Sequence, residues 1–164
     1  LLHSSALFIL ESMDKILYGP PAETLSVLIS DEKAHDFATP KEILEGISVF
    51  QAGKAIAGLP YTIAEVLAHT NANLKFNLVL LRDGLESPQE NWPKVRESDW
   101  ERLKTEFLGN LETLAELAQS SDLTKIVYPA TEAEPAWTVG YKLAASVSKH
   151  TAYHLGQIAV MKRL

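Results

Sequence analysis

Two histidines near the end of the chain stand four residues apart, in Ser148-Lys149-His150-Thr151-Ala152-Tyr153-His154-Leu155-Gly156-Gln157-Ile158. On a helix this spacing stacks His150 and His154 one turn apart on the same face. At 100° per residue, Leu143, Val147, His150, His154, Ile158 and Met161 share an arc of about 80°, so both imidazoles are expected in the middle of an apolar stripe. Burying them there without partners would cost about 1–3 kcal/mol for each unsatisfied polar group. Two chemistries answer that cost. A pair of neutral imidazoles can hold one divalent ion, as histidines at this spacing do in zinc-binding helices. Alternatively, each can bond a serine, an asparagine or a backbone carbonyl in the core. Spacing alone leaves both open.

A third histidine, His69, lies about two turns into another helical segment, toward one side of its apolar stripe. Alone it reads as an interfacial polar residue. Joined to the pair, it would make three ligands from two helices with at least one coordination position open, the arrangement of catalytic rather than closed structural sites. Glu65, one turn before His69, is a candidate base or outer partner, although a helix cap already accounts for it. Gln157 and Asn73 each follow a histidine by about one turn, and could bond a bound water, a substrate or a neighbouring helix. Tyr153 borders the stripe, where it would line a pocket or a dimer contact. His3 lacks such context, and His35 sits in the charged run Asp31-Glu32-Lys33-Ala34-His35-Asp36; both are expected to be solvated. No Gly-rich phosphate loop, Ser-His-Asp arrangement or pair of catalytic carboxylates stands out, so no general acid or base is assigned.

Four segments carry the helical period needed to position these groups. The first runs from about Ser5 to Tyr18, with Leu10, Met13 and Leu17 in phase, and stops at Gly19-Pro20-Pro21. The second opens on the capping box Thr62-Ile63-Ala64-Glu65, with Tyr61 and Val66 placed as a hydrophobic staple, and closes at Asp83-Gly84. The third opens on a similar box, Ser98-Asp99-Trp100-Glu101. Its stripe is Trp100, Leu103, Phe107, Leu111, Leu114 and Leu117, weakened by roughly 1 kcal/mol at Gly109. The fourth runs from about Thr138 to Lys162.

The stretch 18–60 is too long for a structureless connection in a compact domain. Thr39-Pro40-Lys41-Glu42, closed by Gly46, and the run from Glu23 to Ser30 predict short helices within it. Lys125-Ile126-Val127-Tyr128 is the only strand-like run, and the stretch from Val127 to Trp137 reads as a loop. An all-α, four-helix bundle is therefore expected, with a long crossover containing short helices between the first and second main helices. Residues 1–164 read as one domain.

The totals exclude several functions. With no cysteine, disulfides, thiolate zinc sites and a cysteine nucleophile are ruled out, so a transition metal must be held by histidine, carboxylate or water. A formal charge of −6, with no basic cluster, opposes nucleic-acid binding. No apolar run approaches the roughly 20 residues a membrane span needs, and Leu1-Leu2-His3-Ser4-Ser5 does not read as a secretory signal. A cytoplasmic location is expected.

Taken together, Leu59-Pro60-Tyr61-Thr62-Ile63-Ala64-Glu65-Val66-Leu67-Ala68-His69, then Trp92-Pro93, then His150-Thr151-Ala152-Tyr153-His154-Leu155-Gly156-Gln157-Ile158 closely resemble the DinB-like superfamily. The resemblance implies a four-helix bundle, often a homodimer, in which His69, His150 and His154 together bind a divalent metal. Relatives often carry aspartate after the first histidine of the pair; Thr151 stands there in this chain. Among relatives are transferases and isomerases that use low-molecular-weight thiols, and proteins described as metal-dependent hydrolases. The resemblance thus implies an enzyme whose open metal position serves thiol-dependent transfer or hydrolysis of a small substrate. The alternative is a stress-associated metal-binding or interaction protein without turnover. Three histidines with an oxygen ligand suit Zn, Ni, Fe or Mn alike.

Overall fold

A computed structural model describes residues 15–30, 37–88 and 90–164. It is mostly helical, as an all-α class requires. The expected helix from Ser5 to Tyr18 lies outside the described residues as far as Asp14, as do His3 and His35. The last four residues of that expected helix are not helical. Ile16–Leu17 instead forms a short strand, β1.

Among the described residues, the stretch 18–60 contains three helices: α1, Ala22–Ser30; α2, Pro40–Leu44; and α3, Val49–Gly53. The capping box before α2 forms as its residues predict, with Glu42 Oε2 accepting from the Thr39 N–H at 2.8 Å. Gly46 then takes the left-handed conformation, φ 74°, that ends the segment. Long-range hydrogen bonds fasten this region to the end of the chain. Lys162 Nζ donates to the carbonyls of Ile43 (3.2 Å) and Glu45 (2.5 Å), and Gln51 Nε2 donates to the Lys162 carbonyl at 2.9 Å. A cation thereby meets the unpaired carbonyl end of α2.

Two 21-residue helices follow, α4, Ile63–Asp83, and α5, Trp100–Ser120. The start of α4 has both halves of its capping box, and its end has Gly84 at φ 69°. The stripe read for α5 is buried from Trp100 to Leu114, with Leu117 packed partly against the core. Trp100 is fully buried, and its indole N–H is satisfied by the Ile47 carbonyl at 2.9 Å. The capping box expected at Ser98 does not form. Glu97–Asp99 is a 3₁₀ turn, so the residue before α5 is Asp99, already in helical backbone geometry and without a capping bond. Asp99 pairs instead with Arg102 at 3.3 Å.

Two strands precede the last helix: β2, Ile126–Tyr128, and β3, Ala136–Thr138. With β1 they make a small sheet in the order β1-β3-β2, β1 parallel and β2 antiparallel to β3. Strand β2 matches the one strand-like run in the sequence; β1 and β3 replace an expected helix end and the end of an expected loop. Thr138 joins sheet to helix, since its hydroxyl donates to the Leu17 carbonyl at 2.8 Å and accepts from the Tyr141 N–H at 3.2 Å. Gly19 is required at this junction, because a Cβ there would lie 2.2 Å from the Gly140 carbonyl.

The last helix, α6, spans 139–161 and has three parts: Val139–Lys142, a π-helical stretch Leu143–Lys149, and His150–Met161. Helices α1 and α4 both pack on its π-helical stretch, and α4 also packs on its final part. No helix among the described residues is long and apolar enough to cross a membrane.

Candidate metal centre

His69 projects from the second turn of α4, and His150 and His154 project from the final part of α6. The packing of these two helices brings the three rings together. His150 Nε2 lies 3.2 Å from His69 Nε2 and 3.2 Å from His154 Nε2. One ligand nitrogen from each residue falls within 4.8 Å of the others. His154 is buried and His150 half-buried. A uniform 100° step puts both at the centre of the stripe; π winding just before His150 changes the helical phase there.

The outer nitrogens fix the proton positions. His69 Nδ1 is 2.5 Å from the Asn91 carbonyl oxygen, which can only accept, so Nδ1 carries the proton. His154 Nδ1 is 2.8 Å from Gln157 Oε1, while the same amide donates from Nε2 to the Tyr153 hydroxyl at 3.3 Å. With the proton on Nδ1, a singly protonated His69 or His154 ring turns a lone pair at Nε2 toward His150 Nε2. That atom can supply at most one hydrogen to the two of them. His150 Nδ1 is itself buried without a hydrogen-bond partner among the described residues.

Extra protons do not resolve the conflict. Burial, reinforced by the two neighbouring imidazoles, pushes the His150 pKa down to about 4, and burial also lowers that of His154 against the opposing effect of Gln157. His150 and His154 are thereby held in the neutral, lone-pair-bearing form that a metal requires. The two spacings measured from His150 fit as well. Two nitrogens bound to one tetrahedral ion at ~2.0–2.1 Å stand about 3.3 Å apart, close to the 3.2 Å contacts here.

An aromatic stack braces the site. Tyr61, just before α4, lies on Trp92 with centroids 3.6 Å apart and planes within 4°. The Trp92–His69 pair is nearly parallel too, at 4.1 Å and 9°. Trp92 is thus sandwiched between Tyr61 and His69, and beside it the Asn91 carbonyl accepts the hydrogen bond from His69 Nδ1–H. The sequence reading did not assign Tyr61, Asn91 or Trp92 to the site. Its available signal was an aromatic pair flanking α4, with Trp92 before a proline.

The other residues singled out in the sequence divide. Gln157 and Tyr153 join the His154 hydrogen-bond chain and line a cleft beside it. Glu65 is turned back on the cap, accepting from the Thr62 N–H at 2.8 Å. Asn73 accepts from Asn77 through both its backbone and side-chain oxygens. Neither Glu65 nor Asn73 lines the cleft. Thr151 is buried, with its hydroxyl lacking a hydrogen-bond partner among the described residues.

A family model described as the DinB superfamily matches residues 37–158, a span that contains all three histidines. No curated protein and no solved structure matches the chain. The chain belongs to the DinB superfamily.

Proposed function

We propose that this protein binds a divalent metal through His69, His150 and His154, and is an enzyme that uses the open side of that site for thiol-dependent transfer or hydrolysis of a small substrate. The observation that carries the metal reading is the meeting of three Nε2 atoms whose lone pairs lack enough protons to satisfy them. When bound, a divalent ion supplies a Lewis acid able to activate water or a thiol. The chain's own groups orient the ligands: Asn91 and Gln157 hold His69 and His154 in the tautomer that presents Nε2, and Trp92 fixes the His69 ring plane. The half-buried position of His150 and the adjoining cleft support access for a substrate.

We read α1, which the sequence places in the crossover, together with α4, α5 and α6 as the helices of a four-helix bundle, leaving only α2 and α3 in the crossover. Short helices clipped to Lys162 leave the inner faces of α4 and α6 to pack on each other, and those faces carry the three histidines.

Elemental analysis of protein purified without a histidine tag tests the metal. The expected result is about one Zn, Ni, Fe or Mn per chain, lost in His150→Ala. A stoichiometry near zero after incubation with Zn²⁺ or Ni²⁺, unchanged in His150→Ala, rejects the site. Loaded protein should then show a thiol-dependent spectral change and consume an electrophile or an ester. Saturated coordination with no response to either rejects the enzyme while leaving the metal.

A further inference from the structure

The cleft beside the imidazole cluster has a composition that selects its occupant. It measures about 660 Å³, has His154 in its wall, and is lined by Leu59, Tyr61, Val66, Trp92, Val160 and Met161 among its apolar groups. No lysine, arginine, aspartate or glutamate lines it among the described residues. A charged ligand body seated here would lose hydration and find no counter-ion. The polar features are few and neutral. One is the Tyr153 hydroxyl, which accepts from Gln157 and so keeps its own hydrogen to donate.

Gly156 supplies an independent observation. It occupies the interior of α6, where glycine weakens a helix relative to alanine. It also lines the cleft, and a Cβ built there would meet nothing within 4 Å. Its missing side chain relieves no backbone clash. What it leaves is open space at the cleft's outer edge, on the side of α6 that carries Tyr153 and Val160.

We propose that this cleft receives the uncharged, largely apolar body of a small substrate, either a flat aromatic or a branched hydrocarbon portion, with the reactive end turned toward the imidazole cluster. That the occupant is a substrate rests on the function proposed above; that the cleft prefers an uncharged body rests on its walls alone. The metal end can tolerate an ionisable group. The far end cannot.

Two probes with the same body test this: neutral naphthalene-2-carboxamide and anionic naphthalene-2-sulfonate, titrated by calorimetry into metal-stripped and zinc-loaded protein. In the metal-stripped protein the carboxamide should bind at least about tenfold more tightly. Gly156→Leu should weaken carboxamide binding about tenfold or more by filling the cleft, without lowering the melting temperature. Val160→Lys, at a position 61% exposed and tolerant of charge, should narrow or reverse the preference. Equal affinities for the two probes, or carboxamide binding unchanged in folded Gly156→Leu, overturn the proposal. Zinc stoichiometry on the same samples separates the two readings. A preserved carboxamide preference with no zinc uptake supports the cleft and sinks the metal; stoichiometric zinc with no preference sinks the cleft alone.

Discussion

The two ends of α6 each bury a basic side chain and deal with it in opposite ways. Near the start, Lys142 is 8% exposed and carries its own positive charge. Its ammonium lies 5.0, 5.5 and 5.7 Å from the ring centroids of Tyr128, Phe76 and Trp137, whose faces supply negative potential. Burial lowers the Lys142 pKa, and Glu86 opposes that. The same burial, with a hydrogen bond to Glu86, pushes Tyr128 up to about 12. Charge and compensation both come from within the chain. At the other end, His150 and His154 are held neutral by burial and face His69 with lone pairs to spare. There the compensation we propose is a bound metal ion. Burial of a basic group thus marks a ligand site only where the surrounding groups leave its electrons unanswered.

Removing a ligand should break this contrast most severely. If the three histidines bind a metal as proposed, free metal at 100 times its Kd should add ~2.7 kcal/mol to the stability of the wild-type protein. His150→Ala should lose nearly all of that gain while retaining its helical circular dichroism. If the variant unfolds without metal while the metal-free wild type stays folded, His150 is a packing group and the contrast disappears. Gln157→Leu asks a finer question, since it keeps all three ligands but removes the acceptor that orients His154. Its metal affinity should fall about 10–100-fold, as for lost outer partners elsewhere. A competition titration that finds no change would leave Gln157 as a surface residue.

The sequence was legible where a feature is local. The boxes at Thr39/Glu42 and Thr62/Glu65 bring donor and acceptor within three residues, and both form. The similar wording at Ser98 fails because a preceding 3₁₀ turn draws that residue out of the capping position. Strands β1 and β3 are too short to show alternation; β1 exists through a partner more than a hundred residues away, while β3 pairs both with it and with the nearby β2. The pairing of His150 with His154 follows from helical spacing. The arrival of His69 depends on how α4 packs against α6, and only the family resemblance anticipated it. The Tyr61–Trp92–His69 stack is likewise a tertiary product, joining residues before, after and within α4.

Acid should erode the metal-free site in a defined direction. The folded pKa of His150, about 4, lies below its ordinary 6.5, so over that interval the unfolded chain binds more protons than the folded one. Stability therefore rises with pH across the window and is lost as pH falls from about 6.5 toward 4. His154 contributes in the same direction. Melting temperatures of metal-free protein, compared with those of His150→Ala, measure this component. Indistinguishable slopes across the window would remove the support for a buried, neutral His150.

Lys142→Met is the smallest expected effect and the most direct control on the comparison. Methionine approximates the length of the lysine stem and makes favourable contacts with aromatic rings, while removing the charge that burial penalises. Loss of the cation–π attraction and loss of the desolvation penalty oppose each other, so stability should change by no more than about 1 kcal/mol. Metal affinity should stay at the wild-type value, because Lys142 belongs to a compensated cluster separated from His150 by the π-helical stretch. A competition titration that finds affinity reduced as much as in Gln157→Leu would show that the aromatic cage sets the position of the histidines. The two ends of α6 would then be one coupled device, and the neutral charge balance around Lys142 would be part of how the site is held.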